Sequence, residues 1–341
     1  MKKKRLVISC YVTESLSTGV GRYLEGYIEH LLELNTTDIT LLLSNELKQQ
    51  FDSRILHKVE IIDLRIGIKN RLFKRLAYYW KQWFFQNSSS NLDNYDELWI
   101  PNTVPIFKGK LAVKVTIHDL AEFDTKTYSN WNGLIRKLFV YSIVKNANQI
   151  SVVSEFSKQR LLANTSVNEG NVIVEKPKFT YLKRFKTTRK DLELNPRSFF
   201  LYVGRFSKNK NLQILVKVYE LAKKLNYTLL PIVLVGPNSK DCKSLKQEIK
   251  TKQLESHFHF KHFITDEELP IYYKLTKAFI YPSKYEGFGL PPQEALFMGA
   301  KLILSNIPVL IENYREKAVF FNEDSEEDLL RILLRFYNVS S

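Results

Sequence analysis

Two α/β domains, each a parallel sheet with helices on both faces, are what this sequence predicts, and three observations predict them. The chain has 341 residues, and at roughly 150 residues per domain that length suggests two. Short β-rich apolar runs alternate with longer helical patterns along the whole chain, which is how βαβ units read. The alternation fades once, over the basic residues 176–190, which read as a linker. The expected architecture is therefore two doubly wound domains, residues 1–180 and 181–341, facing each other across a cleft. Ligands of such sheets bind beyond the carboxyl ends of the strands, so strand-to-helix loops are where the chemistry belongs.

In the first domain the strands are expected at 5–12, 39–44, 59–64, 97–100, 112–117 and 149–153, with helices near 20–34, 70–85, 131–146 and 155–163. In the second they are expected at 199–203, 231–235, 257–262, 278–281, 301–304 and 318–321, with helices near 210–225, 240–252, 266–275, 291–298 and 325–337. No repeat at a solenoid period interrupts this order.

Composition narrows the classes further. Hydrophobic residues are 44% and charged residues 26%, with 12 Gly and 11 Pro, which disfavours disordered, collagen-like and low-complexity readings. Cys10 and Cys242 stand far apart, so neither a disulfide scaffold nor a cysteine zinc site is expected, and a reducing compartment is. No run of 18 apolar residues suggests a transmembrane helix. The basic start, residues 1–5, leads into a short apolar run without a small-residue cleavage site, so it reads as a first strand rather than a signal peptide. Residues 1–190 hold 30 Lys+Arg against 18 Asp+Glu, most of the net charge of +15. Such a surplus fits an anionic partner, though it equally keeps a protein soluble.

The most informative segment runs from Tyr281 through Glu286-Gly-Phe-Gly-Leu-Pro-Pro to Glu294-Ala295. Gly287 and Gly289 let the backbone approach a ligand, and Pro291 and Pro292 suit a first helical turn whose free N–H groups attract anions. Glu286 on the loop and Glu294 in the opening turn suit sugar hydroxyls better than phosphate, which carboxylates repel. Two glutamates alone would more often be a solvated side chain and one complementing the helix dipole. Upstream, Gly204 and Arg205 follow a strand end and Lys210 closes the same loop. Their side chains could clamp two phosphates, although exposed loop cations are commoner. His118 ends a strand before Asp119, where it could bond a sugar hydroxyl. Gly19-Val-Gly21 lacks the third glycine of the dinucleotide fingerprint, Gly26 standing two positions too late, so nicotinamide binding is not expected.

The order Glu286, Gly287, Phe288, Gly289, Leu290, Pro291, then Glu294-Ala295 resembles the glutamate, seven residues, glutamate motif of retaining glycosyltransferases of the GT-B fold, in particular family 4, the bacterial glycosyl transferases group 1 that include mannosyltransferases. Tyr202-Val-Gly-Arg205-Phe-Ser-Lys-Asn-Lys210-Asn211 resembles that family's diphosphate loop, and residues 301–312 the strand and loop after the motif. Gly19-Val-Gly21-Arg22-Tyr23, Ile117-His118-Asp119-Leu120 and Ser154-Glu-Phe-Ser157 resemble its N-terminal pattern. The resemblance covers essentially the whole chain. It implies two Rossmann-like domains, the first for acceptor and the second for donor, and a hexosyltransferase (EC 2.4) working without metal or cofactor. It makes His118, Arg205, Lys210 and Glu286 catalytic. Gly19, Gly21, Gly204, Arg205, Lys210, Glu286, Gly287, Phe288, Gly289, Leu290 and Glu294 would hold a UDP- or GDP-linked sugar. The implied setting is cytoplasmic biosynthesis of surface polysaccharide or lipopolysaccharide, with a glycan or lipid-linked acceptor and no nucleic acid.

Two further expectations concern partners. Residues 69–85 place Leu72, Leu76, Tyr79, Trp80 and Trp83 along one helical stripe, with Arg71, Lys74, Arg75 and Lys81 largely elsewhere. That is the composition of a helix lying on an anionic membrane surface, which would make the protein peripheral on the inner face of the cell membrane, and also of an ordinary packed helix. Resembled chains usually continue past the helix ending here near Tyr337, whereas this sequence stops at Ser341. That departure keeps an alternative open, a non-catalytic relative binding nucleotide or glycan as a partner subunit.

Overall fold

A computed structural model describes residues 3–11, 13, 15–63, 71–125, 130–185, 195–262 and 264–338. The chain divides into two compact units, Met1–Tyr181 and Leu182–Ser341.

In unit 1 the elements follow as β1 Lys4–Ser9, α1 Gly19–Leu34, β2 Thr37–Leu43, α2 Asn45–Lys48, α3 Ser53–Leu56, β3 Glu60–Asp63, α4 Arg71–Asn87, α5 Ser89–Asn94, β4 Glu97–Ile100, β5 Ala112–Ile117, α6 Ala121–Asp124, α7 Asn130–Asn146, β6 Gln149–Val152, α8 Glu155–Asn164 and β7 Val172–Val174. The described strands form one parallel sheet in the order β3-β2-β1-β4-β5-β6-β7. In unit 2 they are β8 Phe200–Val203, α9 Gln213–Lys224, β9 Ile232–Val235, α10 Lys240–Thr251, β10 Phe258–Lys261, α11 Leu269–Leu275, β11 Ala278–Tyr281, α12 Leu290–Phe297, β12 Leu302–Ser305, α13 Pro308–Tyr314, β13 Ala318–Phe321 and α14 Glu326–Asn338. These strands pair in parallel in the order β10-β9-β8-β11-β12-β13.

Parallel sheets covered on both faces demand strands that are apolar throughout rather than alternating. Accordingly β9, β11 and β12 are buried at every residue, and so are the last four residues of β1. The winding order creates one reversal point per sheet, between β1 and β4 in unit 1 and between β8 and β11 in unit 2. There the connections leave in opposite directions and open a crevice at the strand ends.

Several elements differ from the sequence expectation, among them the short helices α2, α3, α5 and α6, which it did not include. β7 was not expected; it is three residues long, pairs with β6 through Ile150 and Val172, and is too short to show a period. The segment after β12 is a helix, α13, started by Pro308 at its first turn rather than a loop. β1 ends at Ser9, where the strand was expected to reach Val12. Val12 itself, residues 186–190 of the expected linker, and Lys69 and Asn70 of the aromatic segment lie outside the described residues.

Candidate functional site

Unit 2 gathers its functional side chains at its reversal point. The loop after β8 carries Gly204, Arg205 and Lys210, and the loop after β11 carries Ser283, Glu286 and the glycines. Backbone bonding joins the two loops: Lys284 N–H donates to the Asn209 carbonyl at 2.8 Å, and Asn209 Nδ2 donates to the Tyr285 carbonyl at 3.4 Å. Across this seam Lys210 Nζ lies 2.5 Å from Glu286 Oε1 and donates to the Tyr281 hydroxyl at 3.1 Å, 5.4 Å from the centre of that ring. Ser283 Oγ donates to the same Glu286 oxygen at 2.5 Å, while Ser305 Oγ at the end of β12 donates to the Ser283 carbonyl at 2.5 Å. The Lys210 and Glu286 side chains keep only 14% and 11% of their exposure, so water screens the pair weakly.

Buried phenols surround the pair. Burial, and next the Glu286 charge, holds the Tyr281 hydroxyl well above its ordinary pKa. Tyr314 is raised first by burial, then by the charges of Glu286 and Glu294. Both phenols remain neutral donors beside the carboxylates.

The glycine-rich turn is clamped from α13. Tyr314 donates to the Gly289 carbonyl at 2.6 Å and Asn313 Nδ2 to the Phe288 carbonyl at 3.1 Å. Gly289 caps α12 with φ 90°, a left-handed conformation that favours glycine. Gly287 and Phe288 are buried in this turn and Leu290 is half-buried at the first position of α12. Because α12 begins at Leu290, Glu294 lies beyond its first turn, which holds no acidic residue. The placement of Glu294 in the opening turn is corrected accordingly. Its side chain is buried, with Oε2 accepting from the Tyr273 hydroxyl at 2.9 Å. Arg205 is exposed; among the described residues its guanidinium has no partner, and its carbonyl accepts from the Tyr202 hydroxyl at 2.7 Å.

In unit 1 the loops after β4 and β5 and the start of α1 meet around His118. Its Nε2–H donates to the Pro101 carbonyl at 2.9 Å, and Tyr23 of α1 meets the imidazole edge-on at 4.8 Å between ring centres. Burial lowers the His118 pKa, with the Pro101 bond and Asp119 opposing it. The imidazole is thus neutral at pH 7, with Nδ1 left as an acceptor. Gly19 opens α1, which Thr18 caps by accepting from Gly21 N–H at 3.1 Å. Glycine at 21 also has a steric reason within unit 1. A Cβ there would stand 2.2 Å from the Ser15 carbonyl oxygen, so the loop before α1 excludes a larger residue.

The structure therefore brings Lys210 and Glu286 into contact, puts Glu294 on the helix that follows, leaves Arg205 free at the loop surface, and sets Gly19, Gly21 and His118 in unit 1. Sequence reasoning missed Tyr281, Ser283, Asn313 and Tyr314. Tyr281 and Ser283 stand just before Glu286 on the same loop, where no residue pattern singles them out, whereas Asn313 and Tyr314 reach the glycine-rich turn only because α13 packs there. Among the described residues no cluster of three His, Cys, Asp or Glu could hold a metal ion.

Residues 184–338, nearly all of unit 2, match the family model for glycosyl transferases group 1. The chain is 26% identical over 204 residues to O-antigen chain mannosyltransferase B of Escherichia coli, covering 58% of this chain and 54% of that one. It is 26% identical over 226 residues to the O-antigen chain mannosyltransferase RfbU of Salmonella typhimurium, covering 66% and 60%. The chain thus spans little more than half the length of these relatives. The crystal structure of Anabaena HepE in complex with UDP and glucose shares the fold with a TM-score of 0.73, at 14% identity over 98% of this chain and 90% of that one. Two parallel-sheet α/β units in one chain are the fold of GT-B proteins.

Proposed function

We propose that this protein is a retaining glycosyltransferase that moves a hexose from a UDP- or GDP-linked sugar to a glycan or lipid-linked acceptor in O-antigen or other surface polysaccharide synthesis. The observation that carries the reading is the Lys210–Glu286 pair, a cation and a carboxylate in contact at the reversal point of the unit that matches the glycosyl transferases group 1 model. The names of the relatives, O-antigen mannosyltransferases, support the acceptor class and make mannose the first sugar to test.

In this mechanism the acceptor hydroxyl oxygen forms its bond to the anomeric carbon on the face from which the diphosphate departs. The carbon–oxygen bond to the β-phosphate breaks, the hydroxyl proton passes to a phosphate oxygen, and nucleoside diphosphate leaves. Lys210, held in place by Tyr281 and Glu286, and the exposed Arg205 neutralise the charge that develops on the leaving group, a preorganised donor such as Lys210 contributing about 3–4 kcal/mol, so the mechanism calls for no metal. Once phosphate engages Lys210, Glu286 is released to accept sugar hydroxyls. Neutral His118 accepts a hydrogen bond from a sugar hydroxyl at Nδ1, and the proton stays on that hydroxyl. Work on a lipid-linked acceptor implies peripheral attachment to the inner face of the cell membrane.

Thermal stabilisation by a panel of nucleotides and nucleotide sugars, with and without chelator, tests the donor site. At 100 times the dissociation constant a donor stabilises by about 2.7 kcal/mol, and Lys210→Ala is expected to erase the response. Indifference of the folded protein to every nucleotide would overturn the proposal.

A further inference from the structure

The outward faces of α4 and α7 hold more exposed aromatic and aliphatic surface than any fold-building role explains. On α4 the usual order is inverted. Gln82 and Gln86 are buried beside Tyr78 and Phe85, with Gln82 Oε1 accepting from Ser9 Oγ at 3.2 Å and Gln86 packed on Gly109. Meanwhile Leu76, Trp80, Trp83 and Phe84 point outward; Trp80 is 64% and Phe84 60% exposed, and their rings stack 6.0 Å apart. The expected stripe that put Tyr79 with the two tryptophans is corrected on this point, since Tyr79 turns inward against the core. The side chain of Leu72 lies outside the described residues.

α7, which the sequence did not single out, is the stronger half. Trp131 is 78% exposed and Leu138 56%, with Leu134, Ile135 and Tyr141 completing the outward stripe at helical spacing. Val140 and Ile143 on the opposite side are fully buried, so the helix is anchored and the stripe is left over. The two helices touch through the Tyr79 and Phe139 rings, 6.4 Å apart. Apolar surface of this kind marks an interaction site rather than chance exposure.

Charge selects the occupant. α4 carries Arg71, Lys74, Arg75 and Lys81, and α7 carries Arg136, Lys137 and Lys145, while neither helix contains an acidic residue. Aromatic and aliphatic side chains on two helices that carry Lys81, Lys137 and Lys145 among their described side chains and no carboxylate match an anionic lipid–water interface, where rings enter the headgroup layer and cations meet lipid phosphates. Among the described residues no helix is long and apolar enough to cross a membrane, so the contact these faces suit lies along the surface. We propose that α4 and α7 form a two-helix docking face for an anionic phospholipid bilayer, with α7 as its main anchor.

The face adjoins the unit 1 site. Arg136 of α7 reaches Glu122 Oε2 at 3.3 Å and Asp119 Oδ1 at 3.8 Å, binding the helix to the loop that follows His118. Docking would thus hold that loop near lipid headgroups. The inference extends the lipid-linked-acceptor part of the proposed function, yet vesicle binding is read without sugar transfer. Its failure would leave the donor response to nucleotides untouched.

Three of the four tryptophans, Trp80, Trp83 and Trp131, lie on this face, while Trp99 is buried, so intrinsic fluorescence reports the contact. The full chain is mixed with vesicles of phosphatidylcholine alone and with an equal part of phosphatidylglycerol, and binding is followed by flotation and emission. Binding at least about tenfold tighter to the anionic vesicles, with a blue shift, is expected. Trp131→Ala/Leu138→Ala should weaken it about tenfold while melting temperature and nucleotide response stay as in the parent. Equal or absent binding to both vesicles overturns the proposal. So does a concentration-dependent dimer in sedimentation equilibrium that Trp131→Ala dissolves, since the face would then belong to a second copy.

Discussion

Replacing Lys210 with alanine removes the cation beside Glu286 and leaves its carboxylate largely enclosed, with Ser283 as a remaining donor. Breaking a buried pair from one side costs about 3–5 kcal/mol, because the other charge stays desolvated. With 11–14% residual exposure the lower end applies, about 3 kcal/mol. For 150–250 residues each kcal/mol moves the melting temperature by about 2–4 °C, so the transition of unit 2 should fall by about 6–12 °C. Removing both charges in Lys210→Ala/Glu286→Ala should restore a good part of this, giving a coupling energy of about 1–3 kcal/mol. Calorimetry of the parent, both single variants and the double variant measures it. Strict additivity, with the double variant losing the sum of the single losses, would refute the claim that the two side chains interact in the folded protein.

Gly289→Ala forces a Cβ onto a residue at φ 90°, 2.8 Å from Leu310 Cδ2; since that leucine end can shift, a loss of about 1–2 kcal/mol by urea titration is expected. Gly21→Ala meets backbone at 2.2 Å, which cannot swing aside, so unit 1 should lose about 3 kcal/mol, and a variant as stable as the parent would contradict the packing described. His118 has its folded pKa lowered below 6.5 by burial. The unfolded chain therefore binds the proton first, and stability falls as pH drops through about 6.5. His118→Gln should show a shallower loss between pH 7 and 5.5 in denaturant melts; identical slopes would mean that His118 is not protected from protonation.

What could be read from the sequence was local. Apolar runs buried on both faces announce parallel strands, so β4, β5 and β11 were expected with the bounds they have. Glycines, prolines and glutamates in a fixed order marked the loop before α12, and loop position alone brought Arg205 and Lys210 forward. Tertiary structure decided what those residues touch. Lys210 and Glu286 are 76 positions apart, and only the reversal that sets β11 beside β8 makes them a pair. Asn313 and Tyr314 hold the glycine-rich turn because α13 packs there, a contact no periodicity encodes. The outward turn of Trp80 and Phe84 was likewise hidden, since a helical stripe states which residues share a face and not which face the core receives. That choice was made by the partners waiting inside, Ser9 for Gln82 and the bare backbone at Gly109 for Gln86. A sequence specifies patterns within an element, whereas the side on which each pattern is satisfied depends on long-range packing that exists only once the chain has folded.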